Sequence, residues 1–205
     1  TPLGCDLRPA SEEDVEATLE AFGVRRPYVL WIGSREPRKN LRGVIEAFAQ
    51  VGRDGVDPAT RLVLAGPAGW GEDPTDALVA DLGLADRVVT PGYVGGPAKA
   101  ALLTGAAAFL FPSLGEGFGL PVLEAMACGA PVVASDRAAV PEVAGEAALL
   151  VEPEAERLAE ALGRVLTDAA LAQDLRERGL ARAAGFTWER TARLTADVYR
   201  EVLSG

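Results

Sequence analysis

The 205-residue sequence contains no histidine. That absence removes Ser-His-Asp and Cys-His nucleophilic sites and every histidine-based metal centre. Cysteine is nearly as scarce. Cys5 and Cys128 are the only two, and their separation suggests neither a disulfide framework nor a thiolate metal site. They suit a reducing, cytoplasmic setting. Positive charge is also short, with 20 Lys and Arg against 30 Asp and Glu, a net charge of −10 and a pI near 4.6. Such a field disfavours nucleic acid and anionic membranes, so neither is expected as a direct partner. Any phosphate bound here must be met by a local arrangement of cations. The longest apolar run, around Ala100 to Pro112, is broken by Thr104 and Gly105. It falls short of the ~20 residues a membrane helix needs. The opening Thr1-Pro2-Leu3-Gly4 lacks the charged and apolar regions of a secretory signal.

What is present is ordinary for a folded domain: 49% hydrophobic and 24% charged residues. The length suits one large α/β domain better than two small ones. Residues Thr1–Pro9 have no periodicity and read as a linker entering a domain that spans residues 10–205. Ser11, with Asp14 three residues on, predicts a helix start running to about Phe22 and stopped by Gly23. Tyr28-Val29-Leu30-Trp31-Ile32 is a short apolar run closed by Gly33, which predicts a buried strand. Further strands are expected at Arg61–Ala65, Arg87–Thr90, Ala107–Phe111, Val132–Ala134 and Ala147–Val151. Helices are expected between them, from about Asn40 to Val51, Pro74 to Leu82, Pro97 to Gly105, Leu120 to Cys128 and Val140 to Ala144. Three helical stretches, Ala155–Leu166, Ala169–Ala184 and Trp188–Leu203, close the chain.

Short apolar strands alternating with helices predict an α/β fold: a doubly wound, Rossmann-like parallel sheet of about six strands with helices on both faces. Ligands of such sheets bind outside the carboxyl ends of the strands. The loops to inspect are therefore residues 33–40, 66–73, 92–96 and 113–119.

Two of these loops carry chemistry. Pro112–Gly129 is a glycine-rich loop running into a helix, where close backbone approach and the helix dipole favour an anionic or hydroxyl-rich ligand. Glu116 lies in the loop and Glu124 inside the helix, so they reach different parts of one ligand and form no carboxylate dyad. The second loop, Gly33-Ser34-Arg35-Glu36-Pro37-Arg38-Lys39-Asn40, gathers three cations before a helix. The dipole there disfavours them, and a diphosphate would resolve the conflict. Lys39 and Lys99 are the chain's only lysines.

Taken together, Glu116-Gly117-Phe118-Gly119-Leu120-Pro121 and Leu123-Glu124-Ala125-Met126-Ala127-Cys128-Gly129-Ala130-Pro131-Val132-Val133-Ala134-Ser135 resemble the E-x7-E signature of retaining, nucleotide-sugar-dependent glycosyltransferases. These are the group 1 enzymes of glycosyltransferase family four, with the GT-B fold. The resemblance implies that Glu116 contacts the donor sugar's hydroxyls, with main-chain help from Gly117, Phe118, Gly119 and Leu120. It implies Glu124 for the ribose hydroxyls, and Lys39 with an arginine for the diphosphate. Ser34 stands where the family has that arginine; Arg35 or Arg38 is the substitute, with Arg38 favoured. Gly66, near Gly69-Trp70-Gly71, resembles the next donor loop, and Val94 the residue whose backbone meets the nucleobase. The catalytic set is then Lys39, Arg38 and Glu116.

The resemblance further implies that this chain is the donor-binding, C-terminal half of a two-domain enzyme. Pro2-Leu3-Gly4-Cys5-Asp6 would enter it from an N-terminal acceptor domain, the half through which any peripheral membrane contact would run. The reaction implied is sugar transfer from a nucleoside-diphosphate donor with retention, in the cytoplasm and without a cofactor or metal. No Asp-x-Asp pair supports a metal-bridged diphosphate. A non-catalytic nucleotide-sugar-binding module is the alternative. A dinucleotide-dependent oxidoreductase is disfavoured, because Gly33 stands alone where Gly-x-Gly-x-x-Gly would be needed. The last helix is expected to keep Trp188, Leu194, Val198 and Val202 incompletely covered.

Overall fold

A computed structural model describes residues 1–51, 55–67 and 75–204. The Gly69-Trp70-Gly71 segment and the expected helix start at Pro74 lie outside the described residues. Six strands, β1 (Tyr28–Ile32), β2 (Arg61–Ala65), β3 (Val88–Gly92), β4 (Ala108–Phe111), β5 (Val132–Ser135) and β6 (Leu149–Val151), form one sheet. All pairings are parallel, in the order β3-β2-β1-β4-β5-β6. The order turns back between β1 and β4, which places the topological switch point at the sheet's centre.

Successive strand residues feed opposite faces, as the pleat requires. Tyr28 and Leu30 of β1, Val63 and Ala65 of β2, and Phe109 and Phe111 of β4 pack on one side. They meet α1 (Glu12–Phe22), α4 (Gly96–Gly105), α5 (Leu120–Ala127) and α6 (Val140–Ala144). Val29 and Trp31, Leu62 and Leu64, and Ala108 and Leu110 face the other way. There they pack on α2 (Leu41–Val51), α3 (Thr75–Asp81) and α7 (Ala155–Thr167). The strands read as continuous apolar runs because both faces are covered. Two further helices, α8 (Ala169–Ala183) and α9 (Trp188–Ser204), complete the chain. Among the described residues, no helix is long and apolar enough to cross a membrane.

Three local expectations are corrected. The strand expected to stop before Pro91-Gly92 continues through both. β3 is an edge strand, so the N–H that Pro91 lacks is not demanded by a second neighbour. Gly92 O still accepts from the Gly66 N–H at 2.7 Å. The last strand starts at Leu149 and not at Ala147, whose N–H instead donates to Ala144 O at the end of α6. At the start of α1, Ser11 Oγ accepts from the Asp14 N–H (3.1 Å) and donates to the Asp14 carboxylate (2.6 Å). The reach-back is thus side chain to side chain. Gly23, at φ 65°, ends the helix in the left-handed region.

Residues 1–9 form no helix or strand, yet they pack against the end of the chain. The Cys5 N–H donates to Phe186 O at 3.1 Å, and the Thr191 hydroxyl donates to Pro2 O at 2.8 Å. Gly4 lies so close that an added Cβ would sit 2.4 Å from the Trp188 nitrogen. α9 buries none of its residues: Trp188, Val198 and Val202 are 44%, 50% and 73% exposed, with Leu194 half-buried. The apolar stripe spaced along this helix is left uncovered. Replacing Ser11 by alanine should cost about 1 kcal/mol, seen as a lower urea midpoint at unchanged denaturant slope.

Candidate functional site

β1 and β4 are neighbours, with Val29 opposite Ala108 and Leu30 opposite Phe109. Their carboxyl ends therefore deliver residues 33–40 and 113–119 to the same place. The main chain then ties the two loops together. Arg38 O accepts from the Leu114 N–H at 2.7 Å and lies 3.1 Å from Ser113 Oγ. From below, the Ser135 hydroxyl at the end of β5 donates to Ser113 O at 2.6 Å. Ser113 and Ser135 are both buried, so these bonds replace contacts that water cannot make.

On this frame, three donors converge on one oxygen of Glu116. Lys39 Nζ is 2.6 Å from Oε1, Ser113 Oγ 2.7 Å and Arg38 Nη1 3.2 Å. The Lys39 side chain is 8% exposed and the Glu116 side chain 10%. An ammonium this deep is tolerated only when paired. The Phe111 ring adds a second stabilising contact, its centroid 5.0 Å from Nζ. Lysine carries three donors, so two remain for a further anion beyond Glu116. Arg38 is 48% exposed; its Nε donates to Glu36 at 2.8 Å. The Ser34 hydroxyl hydrogen-bonds the Glu36 carboxylate and, with the nearby Arg38 charge, holds it below its ordinary pKa.

Glu124, on α5, has its own cation. Lys99 Nζ in the first turn of α4 lies 2.5 Å from Glu124 Oε1. Below this pair lie the thiols of Cys5 and Cys128, both free and buried. Burial first, then the neighbouring Cys5 and Glu124, push the Cys128 thiol from 9.0 up to about 12.

The glycines of the site separate by cause. Gly66, at φ 142°, would put a Cβ 1.8 Å from Gly33 O, so packing alone demands glycine there. Gly119, at φ 95°, is the residue before α5, in a conformation that side chains rarely adopt. Gly115 and Gly117 are different: a Cβ on either would meet nothing within 4 Å. The space beside them is open. Phe118 rests edge-on against Phe186, ring centroids 6.1 Å apart. Leu120 is half-buried. Val94 is buried, and Tyr93 beside it is 75% exposed.

The structure thus brings Lys39, Arg38 and Glu116 into contact, and sets Glu124, Gly66 and Val94 at neighbouring strand ends and helices. Val122 and Leu123 both donate to Gly119 O (3.0 and 3.3 Å), and Pro121 has no N–H. The amides left for an anion are therefore those from Leu120 backwards. Sequence reasoning missed Ser113, Ser135, Glu36 and the pairing of Lys99. Only Lys99 carried a signal, as one of two lysines in a chain that otherwise uses arginine. Among the described residues, no group of three or more Cys, Asp or Glu is arranged to hold a metal ion.

The cation cluster and the glycine-rich loop lie at the switch point of a doubly wound α/β sheet, the place where ligands of such sheets bind. Residues 16–182 match the family described as glycosyl transferases group 1. The chain belongs to the group 1 glycosyltransferases. It is 35% identical over 208 residues to the O-antigen chain mannosyltransferase B of Escherichia coli, covering 98% of this chain and 53% of that protein. It is 35% identical over 214 residues to the D-inositol 3-phosphate glycosyltransferase of Frankia alni, covering 98% and 52%. Among solved structures, sucrose-phosphate synthase from Thermosynechococcus elongatus superposes with a TM-score of 0.84 at 31% identity, over 99% of this chain and 52% of that one. HepE of Anabaena, in complex with UDP-glucose, shares the fold, with a TM-score of 0.86 at 23% identity over 98% and 56%. The chain spans about half the length of these relatives.

The raised Cys128 thiol has a pH consequence. Its folded-state proton is held more tightly than the unfolded one, so the stability it contributes is complete below pH 9 and is lost progressively from pH 9 towards 12. Urea midpoints should therefore fall more steeply above pH 9 in the parent chain than in Cys128→Ala; parallel curves would contradict the assignment.

Proposed function

We propose that this chain is the donor-binding half of a two-domain glycosyltransferase that moves a hexosyl group from a nucleoside-diphosphate sugar with retention. The observation that carries this is the near-buried Lys39–Glu116 pair, joined by Arg38, at the adjoining ends of β1 and β4. In this reading the diphosphate takes Lys39 and Arg38 as its counter-charges, without a metal ion. Glu116 meanwhile turns to the sugar hydroxyls beside the Gly117, Phe118, Gly119 and Leu120 backbone. Glu124 takes the ribose, the Val94 backbone faces the base, and Gly66 lets the neighbouring loop close in.

Glu116 keeps Lys39 compensated until the ligand arrives. The diphosphate then takes over the pairing of Lys39, while Glu116 keeps the Ser113 hydroxyl and gains the sugar hydroxyls. During transfer the bond from the anomeric carbon to the phosphate oxygen breaks as the acceptor oxygen bonds on the same face. The acceptor proton passes to the leaving phosphate, and Lys39 and Arg38 stabilise its growing charge. The mannosyltransferase relative and the UDP-glucose complex of HepE support a hexosyl donor. The acceptor would be bound by a second, N-terminal domain reached through residues 1–9. The uncovered α9 stripe of Trp188, Val198 and Val202 is the natural seat for that domain. Two free, buried thiols suit a cytoplasmic setting.

Calorimetric titration with UDP, GDP and ADP tests the reading. Lys39→Ala should weaken the nucleoside diphosphate roughly tenfold to over a hundredfold, and the monophosphate far less. Glu124→Ala should weaken both by similar factors. Glu116→Ala should not weaken the diphosphate, while the nucleotide-sugar complex is lost. Equal losses of mono- and diphosphate in Lys39→Ala would refute the assignment. The 205-residue chain alone should bind the donor without transferring sugar, and turnover by it would refute the two-domain reading.

A further inference from the structure

Lys99 stands outside the residues assigned above, yet the chain's only two lysines make matching contacts. Lys39 pairs with Glu116, and Lys99 with Glu124. Lys99 lies in the first turn of α4, where the helix dipole disfavours a cation. Its side chain is 22% exposed and that of Glu124 14%. Around Glu124, α5 is otherwise apolar, with Val122, Leu123, Ala125 and Met126 all buried. Packing gives no reason for an ion pair here. Apolar side chains of similar volume would fill the space, and such exchanges of buried pairs are often neutral or stabilising. The pair makes sense only if the carboxylate itself is needed.

We infer that Lys99 is the positioning residue that makes Glu124 a ribose ligand. It holds one carboxylate oxygen and offsets its charge, so the other oxygen can accept the ribose hydroxyls beside a diphosphate. This rests on the reading of Glu124 as the ribose contact. Without its ammonium partner the carboxylate would lose the contact that fixes its orientation, and its second oxygen would no longer be presented to the ribose. Lysine suits the task better than arginine. Its ammonium is a compact point charge that occupies one oxygen, whereas a guanidinium fork takes both. The position of α4 adds to this: the helix that carries Lys99 begins two residues after Val94, so Lys99 follows closely on the loop assigned to the base.

Titration of the chain with UDP, GDP and ADP identifies the diphosphate it binds, and the 2′,3′-dideoxy counterpart of that nucleotide reports the ribose contact. The parent chain should prefer the ribonucleotide by about tenfold or more. Lys99→Met should shrink that preference to about threefold or less, leaving the dideoxy affinity within about twofold. In a Glu124→Gln background, Lys99→Met should change the preference no further. If thermal unfolding shows that Lys99→Met does not fold, Lys99→Gln takes its place with the same outcomes expected. Equal weakening of both nucleotides, or an unchanged preference, would overturn the positioning role and leave the diphosphate reading standing. No binding of any of the three nucleotides by the parent chain would overturn that reading and this inference with it.

Discussion

The Lys39 side chain is 8% exposed, and the Glu116 carboxylate lies 2.6 Å from its nitrogen. That contact joins two loops far apart in sequence, and most of the site's other features serve to hold it. Ser113 adds a hydrogen bond to the same oxygen, Ser135 holds the backbone of Ser113, and Arg38 supplies both a guanidinium and a carbonyl to the junction. Breaking the pair from either side would leave a buried ion without a partner, a costlier event than never having built it.

On the proposed function, the chain's charge explains why this arrangement has to be local. With a net −10, the protein as a whole does not attract an anion. Attraction must be local, and the chain spends both of its lysines at two glutamates of one loop-and-helix segment. Each lysine is paired with a carboxylate, so neither is an isolated charge. Each carboxylate is likewise held in a fixed place. The site is thereby organised in advance, which lowers the reorganisation that binding would otherwise demand.

The fold was largely legible in the sequence, because its signals are local. Runs such as Tyr28–Ile32 are apolar throughout only when both faces of a strand are buried, and Ser11 and Gly23 mark the ends of α1 through their own chemistry. The misplaced boundaries at Pro91 and Ala147 depended on where each segment sits: whether a strand has one neighbour or two, and where a helix cap takes its donor. The same division holds for the site. Lys39, Arg38, Glu116 and Glu124 stand in loops and a helix whose pattern drew attention to them. The Lys99–Glu124 pair spans 25 residues and the Ser113–Ser135 bond 22, and no local pattern announces such a contact. The need for glycine at Gly66 was visible as a turn, but its cause, the carbonyl of Gly33, belongs to another strand.

Pro91 within β3 also bears on how copies of this protein behave beside one another. An open parallel sheet has two free edges, and an unpaired edge is a template on which another chain's strand can add. Here one border is β3, which has one backbone donor fewer at Pro91 and an irregular register beside it, and the other is β6, only three residues long. Neither margin offers a long, regular ladder. The sheet is thus guarded against edge-to-edge aggregation by the very residue that, read in isolation, argued the strand should already have ended.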